Sequence, residues 1–164
     1  MSSATRSTRP GEAASRRARK AGIIVVLGLA LADFVAHMLV STNYGYFRDE
    51  LYYIEAGRHL SFGYVDFPPL IALIARILDW LAGDALWALH VVPALATALI
   101  VILTGLMARE LGGGRFARFL AALASLAAVT FLATGSIFSM DALDELWWVL
   151  ASYVLIVVLK QDEG

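Results

Sequence analysis

The sequence predicts an all-α, multi-pass membrane protein with four transmembrane helices and an outer loop carrying short amphipathic, interfacial helices. Three observations predict this. Charged residues make up 16% of the chain and hydrophobic residues 60%, against about 25% charged in a typical soluble domain. Several apolar blocks approach or reach the ~20 residues that a membrane-crossing helix needs. Arginine-rich and acidic segments alternate between those blocks, the pattern that orients spans in a bilayer. A formal net charge of −1 conceals this alternation. With no cysteine, disulfides and thiolate metal sites are excluded.

Residues 1–20 (MSSATRSTRPGEAASRRARK) set Arg6, Arg9, Arg16, Arg17, Arg19 and Lys20 against Glu12 alone. They have no apolar face and are predicted to form a disordered basic tail. Positive charge beside a span holds that end in the cytoplasm, a better reading than a nucleic-acid-binding arm. Residues 21–40 (AGIIVVLGLALADFVAHMLV) form the first span. A signal peptide would have a shorter apolar core and a small-residue cleavage site, which STNYGYF does not supply. The outer loop covers residues 41–85. Within it, residues 68–81 (PPLIALIARILDWL) repeat apolar side chains at helical spacing, interrupted by Arg76 and Asp79. Some fourteen residues of helix reach only ~21 Å, so this is predicted to be an interfacial helix on the outer leaflet.

The second span is predicted over 86–107 and the third over 116–138. The fourth, over 142–159, lengthens if its helix begins near Met140. Gly112-Gly113-Gly114 is a turn with no preceding strand and no following Lys-Ser/Thr, so it is no phosphate loop. With four spans, the basic tail, the loop with Arg109, Arg115 and Arg118, and Lys160 all fall on the cytoplasmic side. The acidic loop 41–85 and the turn before Trp147 and Trp148 fall outside.

The stretch YFRDELYYIEAGRHLSFGYVDFPPL (46–70) is both charged and aromatic. Each part of it has an ordinary explanation. Asp49 reads as a helix N-cap and Glu50 as a first-turn carboxylate favoured by the helix dipole. The tyrosines suit an interfacial belt, and Pro68 suits a helix start. The order of the parts is what carries information. Arg48-Asp49-Glu50, then Tyr53 and Ala56, then Gly63-Tyr64, Asp66 and Pro68-Pro69-Leu70, directly after a first span, resembles the first outer loop of the GT-C glycosyltransferases. The likeness is greatest to the dolichyl-phosphate-mannose-protein mannosyltransferase-like group, glycosyltransferase family 39 and its bacterial relatives. It extends to Ser139-Met140-Asp141-Ala142 and covers the chain from about Ala21 onward. Aminoarabinose transferases share the layout but usually carry Lys before Pro-Pro. Phe67 stands there in this chain, which favours a hexose donor of the mannosyl type.

The resemblance implies the N-terminal part of a GT-C fold, with residues 21–164 belonging to its transmembrane domain. It implies transfer of a sugar, with inversion, from a polyprenyl-phosphate donor to an acceptor on the extracytoplasmic face of a bacterial plasma (inner) membrane. Asp49 maps onto the general base and Glu50 onto its neighbour that holds the site. Tyr53, Asp66 and Asp141 map onto substrate-binding positions. In relatives the Asp66 region helps to bind the donor phosphate, in some through a divalent metal ion, so the cofactor is left open. Family members are much longer and have more spans. The implied partners are therefore the donor lipid, membrane lipids and the missing C-terminal portion of the enzyme, and this piece alone is expected to be inactive. No nucleic-acid partner is expected.

Three polar residues of the spans stand apart from that motif. Asp33 and His37 share one face at i, i+4 and read as a structural pair ahead of a functional one. His90, near Pro93, reads as a cavity-lining or interface residue. Two other function classes stay open: a four-span transporter or proton-relay subunit, and a non-enzymatic membrane scaffold. The first would want ionisable groups at the bilayer midplane, whereas the carboxylates here cluster outside it.

Overall fold

A computed structural model describes residues 10–83 and 85–162 of the chain, with side chains described from Ala21 onward. The described residues form seven helices: α1 (Pro10–Val40), α2 (Arg48–Arg58), α3 (Pro69–Ala82), α4 (Leu86–Glu110), α5 (Arg115–Leu126), α6 (Val129–Thr134) and α7 (Met140–Asp162). Among the described residues, three segments are long and apolar enough to cross a membrane: Ala21–Val40, Leu86–Glu110 and Met140–Asp162.

The count of four spans is not confirmed at the third. Residues 116–138 do not make one continuous helix. They divide into α5 and α6, and Ala128 between them is extended (φ −69°, ψ 121°). Ser125 lies next to the end of α5. Its hydroxyl donates back to the Ala121 and Ala122 carbonyls and also meets the Thr104 hydroxyl at 2.8 Å. Back-bonding of this kind bends helices, and α5 ends one residue later. The broken passage still runs beside α1, because Arg118 lies against Gly22 at one end and Gly135 against His37 at the other. The other spans lengthen beyond their expected limits, to Glu110 and to Met140–Asp162.

The first helix reaches into the segment read as a tail. α1 starts at Pro10, so residues 10–20 continue the first helix where disorder was expected. Proline suits the first helical position, the Ala and Arg residues after it are good helix formers, and an established span propagates helix cheaply. Residues 1–9 lie outside the described residues.

α1 and α4 are joined where side chains are smallest. A Cβ at Gly105 would lie 2.8 Å from the Val26 methyls, and Val26, Ala30, Ala98, Val101 and Ala122 form a buried cluster around that contact. At the α2–α3 end lies a second core, centred on Tyr53, Phe67, Ile71, Leu89 and Phe138. α3 buries Ile71, Ala72 and Ala75 and leaves Leu70, Leu73, Ile77 and Leu81 exposed. Arg76 pairs with Asp79 at 3.5 Å on its outer side. Gly83, in the left-handed region (φ 62°), ends α3, so α3 and α4 are separate helices.

Candidate functional site

The N-cap of α2 is Phe47, with extended backbone (φ −78°, ψ 152°). That corrects the reading of Asp49 as the cap and fixes which way each carboxylate points. Asp49 becomes the second helical residue and Glu50 the third, about 100° apart around the axis. Glu50 turns inward and is 1% exposed. Its Oε2 accepts the Phe47 N–H at 2.8 Å, the carboxylate half of a capping box. Its Oε1 meets His90 Nε2 at 2.6 Å and accepts the Phe138 N–H at 2.8 Å. One carboxylate thereby ties α2 to α4 and to the segment before α7. Burial alone would raise its pKa. The His90 contact and the two amide donors outweigh burial and hold the carboxyl below its usual value.

Asp49 points the other way, with 42% of its side chain exposed and Arg48 Nε at 3.1 Å. Next on that side is Tyr53, itself 6% exposed. Burial raises the Tyr53 pKa, and the negative charges of Asp141, Asp49 and Asp66 raise it further. The Met140 backbone N–H lowers it in part. Tyr53 therefore stays protonated, keeping a hydrogen to donate amid three aspartates. Asp66 is held by the Tyr52 hydroxyl, which donates to its Oδ1 at 3.0 Å and is thereby pushed to higher pKa. Asp141 accepts a hydrogen bond from the Ser139 hydroxyl at 3.1 Å.

Phe67 organises these aromatics. It meets Tyr52 and Tyr53 edge-on at 5.3 and 5.1 Å and stacks on Tyr64 at 4.4 Å. The position that carries Lys in aminoarabinose transferases is here the hub of an apolar cluster. Tyr64 in turn closes the loop by donating to the Ala56 and His59 carbonyls.

Two clefts flank this unit. One, of about 420 Å³, is lined by Tyr44, Tyr46, Phe47, Glu50, His90 and Ser136 among others. The second, of about 200 Å³, lies between Pro68, Ile71, Asp141, Asp144 and Trp147. Among the described residues no three His, Asp or Glu side chains gather as metal ligands. Asp66 Oδ1 accepts from Tyr52, and no second and third His, Asp or Glu join it in a ligand group among the described residues.

Thus the five sequence-derived candidates divide. Asp49, Asp66 and Asp141 act electrostatically on one tyrosine, Tyr53, while Glu50 belongs to a buried pin behind it. The partners of that pin were missed. His90 lies 40 positions and Phe138 88 positions along the chain from Glu50, separations at which no local spacing rule applies. Asp33 and His37 are buried with Oδ1 and Nε2 3.7 Å apart, and His37 Nδ1 lies 3.1 Å from the Ser136 hydroxyl. They join α1 to the segment after α6 through Ser136, which lines the first cleft.

A helical membrane protein with an acidic, tyrosine-centred site at one end of its spans is the class that fold and site define. The chain belongs to the dolichyl-phosphate-mannose-protein mannosyltransferase family, whose model matches residues 66–164, more than half of the sequence. This is a glycosyltransferase family of the GT-C type, whose donors are polyprenyl-phosphate sugars. The match takes in Asp66 and Asp141 and begins after Asp49, Glu50 and Tyr53. No curated protein and no solved structure matches the chain.

Proposed function

We propose that the chain carries the acceptor-activating site of a membrane glycosyltransferase that moves a hexose, with inversion, from a polyprenyl-phosphate donor to a hydroxyl on the extracytoplasmic face. Asp49 is the general base. Its carboxylate takes the proton of the acceptor hydroxyl while that oxygen attacks the anomeric carbon. The bond from that carbon to the phosphate oxygen breaks, and polyprenyl phosphate leaves with the electron pair. Tyr53, kept protonated, donates a hydrogen bond within the site. Asp66 and Asp141 orient the polar parts of donor and acceptor, and Glu50 holds the first turn of α2 so that Asp49 faces outward.

The observation that carries this reading is the division of the acidic pair: Glu50 is buried and held by His90 and the Phe138 amide, while Asp49 stands 42% exposed on the first turn of α2, one turn before Tyr53. Capping or an interfacial belt would not require that arrangement. A lipid-linked donor has its reactive carbon at headgroup depth, and a base on the first turn of a short helix between spans is suited to meet it there. The test is sugar transfer from a mannosyl polyprenyl phosphate in membranes carrying the chain, alone and together with the downstream spans of a family member. Dependence on Asp49 supports the proposal. Transfer that is indifferent to Asp49→Asn removes its central residue.

A further inference from the structure

At the opposite end of the spans from Asp49, a basic groove opens between α1, α4 and α5. We propose that it binds the phosphate of an anionic phospholipid, with Arg118 as the principal contact. Arg118 is held in place from one side, its Nε donating to the Gly113 carbonyl at 3.2 Å. Its Nη1 is buried and has no hydrogen-bond partner among the described residues. A buried donor on a charged group left unpaired is costly, so the site calls for an acceptor, and an anionic one.

The surroundings indicate which acceptor. Gly22 leaves room for the guanidinium, since a Cβ there would lie 3.2 Å from Arg118 Nη1 and 3.6 Å from Arg115 Cγ. Arg109 lines the same groove. The nearby carboxylate, Glu110, is already engaged, with Arg109 Nε at 3.6 Å and Lys160 Nζ at 3.1 Å. Beyond the guanidinium the groove narrows to about 30 Å³, room for a single polar group and not for a chain, between Ile23, Val26, Leu27, Ile102 and Leu106. Leu27 is half exposed beside it, an apolar surface that the first methylenes of an acyl chain can cover and that a free phosphate has no use for. Gly22 also sits at the start of the first span, the depth at which a lipid phosphate lies. Basic pockets between spans recognise lipid headgroups in this way.

The experiment uses the purified chain in neutral detergent, titrated with phosphatidylglycerol, phosphatidylcholine or inorganic phosphate. Retained lipid is read by native mass spectrometry and thermal stability in parallel. Phosphatidylglycerol is expected to be retained over phosphatidylcholine and to raise the Tm. Arg118→Gln should weaken retention about fivefold, the equivalent of ~1 kcal/mol per basic residue near the surface. Gly22→Ala, which displaces only the flexible end of Arg118, provides a second variant with the same expected loss should Arg118→Gln fold poorly. Arg76→Gln, at the far end, should change nothing. Equal retention of the two lipids overturns the proposal, as does an equal loss with Arg76→Gln, which would mean bulk electrostatics. Stabilisation by inorganic phosphate equal to that by phosphatidylglycerol overturns it as well, leaving a free-anion site.

Discussion

Asp49 and Glu50 are neighbours in the chain with opposite surroundings, and substitutions should separate them. Asp49→Asn keeps the side chain's size and loses its capacity to take a proton. If Asp49 is the base, transfer should fall by about 10²–10⁴-fold, the usual contribution of general-base catalysis. Stability should barely move, because Phe47 caps the helix and the exposed pair with Arg48 is worth at most ~1 kcal/mol. Sugar transfer and Tm measured on one preparation check both halves. Near-normal turnover would sink the role given to Asp49. Glu50 predicts the reverse order of effects. Glu50→Ala strands His90 and two amide N–H groups in a buried site, at a cost of about 3–5 kcal/mol, read as a large fall in Tm. The pH dependence has a definite sign. A carboxyl whose folded pKa is depressed adds stability wherever the unfolded carboxyl is ionised, and that stability drains away as pH falls through the folded value. Thermal melts should therefore weaken on acidification below the ordinary carboxylate range. Glu50→Gln should flatten that part of the profile, and an unchanged slope would mean that the pin does not titrate.

At the level of helices, α2 reaches the site only because it lies close against α3. A Cβ at Gly57 would meet the Arg76 amide nitrogen at 2.9 Å and the Ala72 carbonyl at 3.0 Å, and backbone atoms cannot step aside. Gly57→Ala should thus destabilise by about 1–3 kcal/mol, despite the ~1 kcal/mol that alanine normally gains over glycine inside a helix. Gly28→Ala, with nothing within 4 Å, should show that gain instead, and melts of the two variants provide the comparison. If Gly57→Ala is as stable as Gly28→Ala, α2 and α3 are not closely packed in solution. How legible such features are from sequence depends on their range. Three spans were legible because length and apolarity suffice, although the last was expected over 142–159, with Met140 as its start only a condition, and the expected third is not one continuous helix. The break after Leu126 was not: residues 116–138 are mainly apolar, and the contact beside the break joins Ser125 to Thr104 on another helix, which no local pattern reveals. The acidic motif was legible as an ordered pattern. The facing of its two carboxylates was not, because moving the cap from Asp49 to Phe47 rotates each one about the helix, and His90 and Phe138 enter only once the chain is folded.

For the whole molecule, the question is which end of the bundle lies outside. The acidic, aromatic end carries α2, α3 and the start of α7. The other carries Arg109, Arg115, Arg118 and Lys160. α4 and α7 both run from the first end to the second, because Lys160 Nζ meets the Glu110 carbonyl at 3.0 Å while Met140 lies beside Tyr53. α1 and the broken α5–α6 passage run in the opposite direction. All the loops at one end must then share a compartment, so a single labelling experiment determines the orientation of the entire chain. The arginine distribution predicts the basic end in the cytoplasm. With no native cysteine, a single introduced thiol has no background. Ser61→Cys reports the acidic end. Gly114→Cys reports the basic end and is a better choice than its neighbour Gly113, where a Cβ would lie 2.5 Å from the Ala108 carbonyl; at Gly114 it meets nothing within 4 Å. An impermeant maleimide added to intact cells should label Ser61→Cys and reach Gly114→Cys only after permeabilisation. The inverse result would put Asp49 on the cytoplasmic face, away from an extracytoplasmic acceptor. Labelling of both thiols in intact cells would mean that the two ends do not face opposite sides of a membrane.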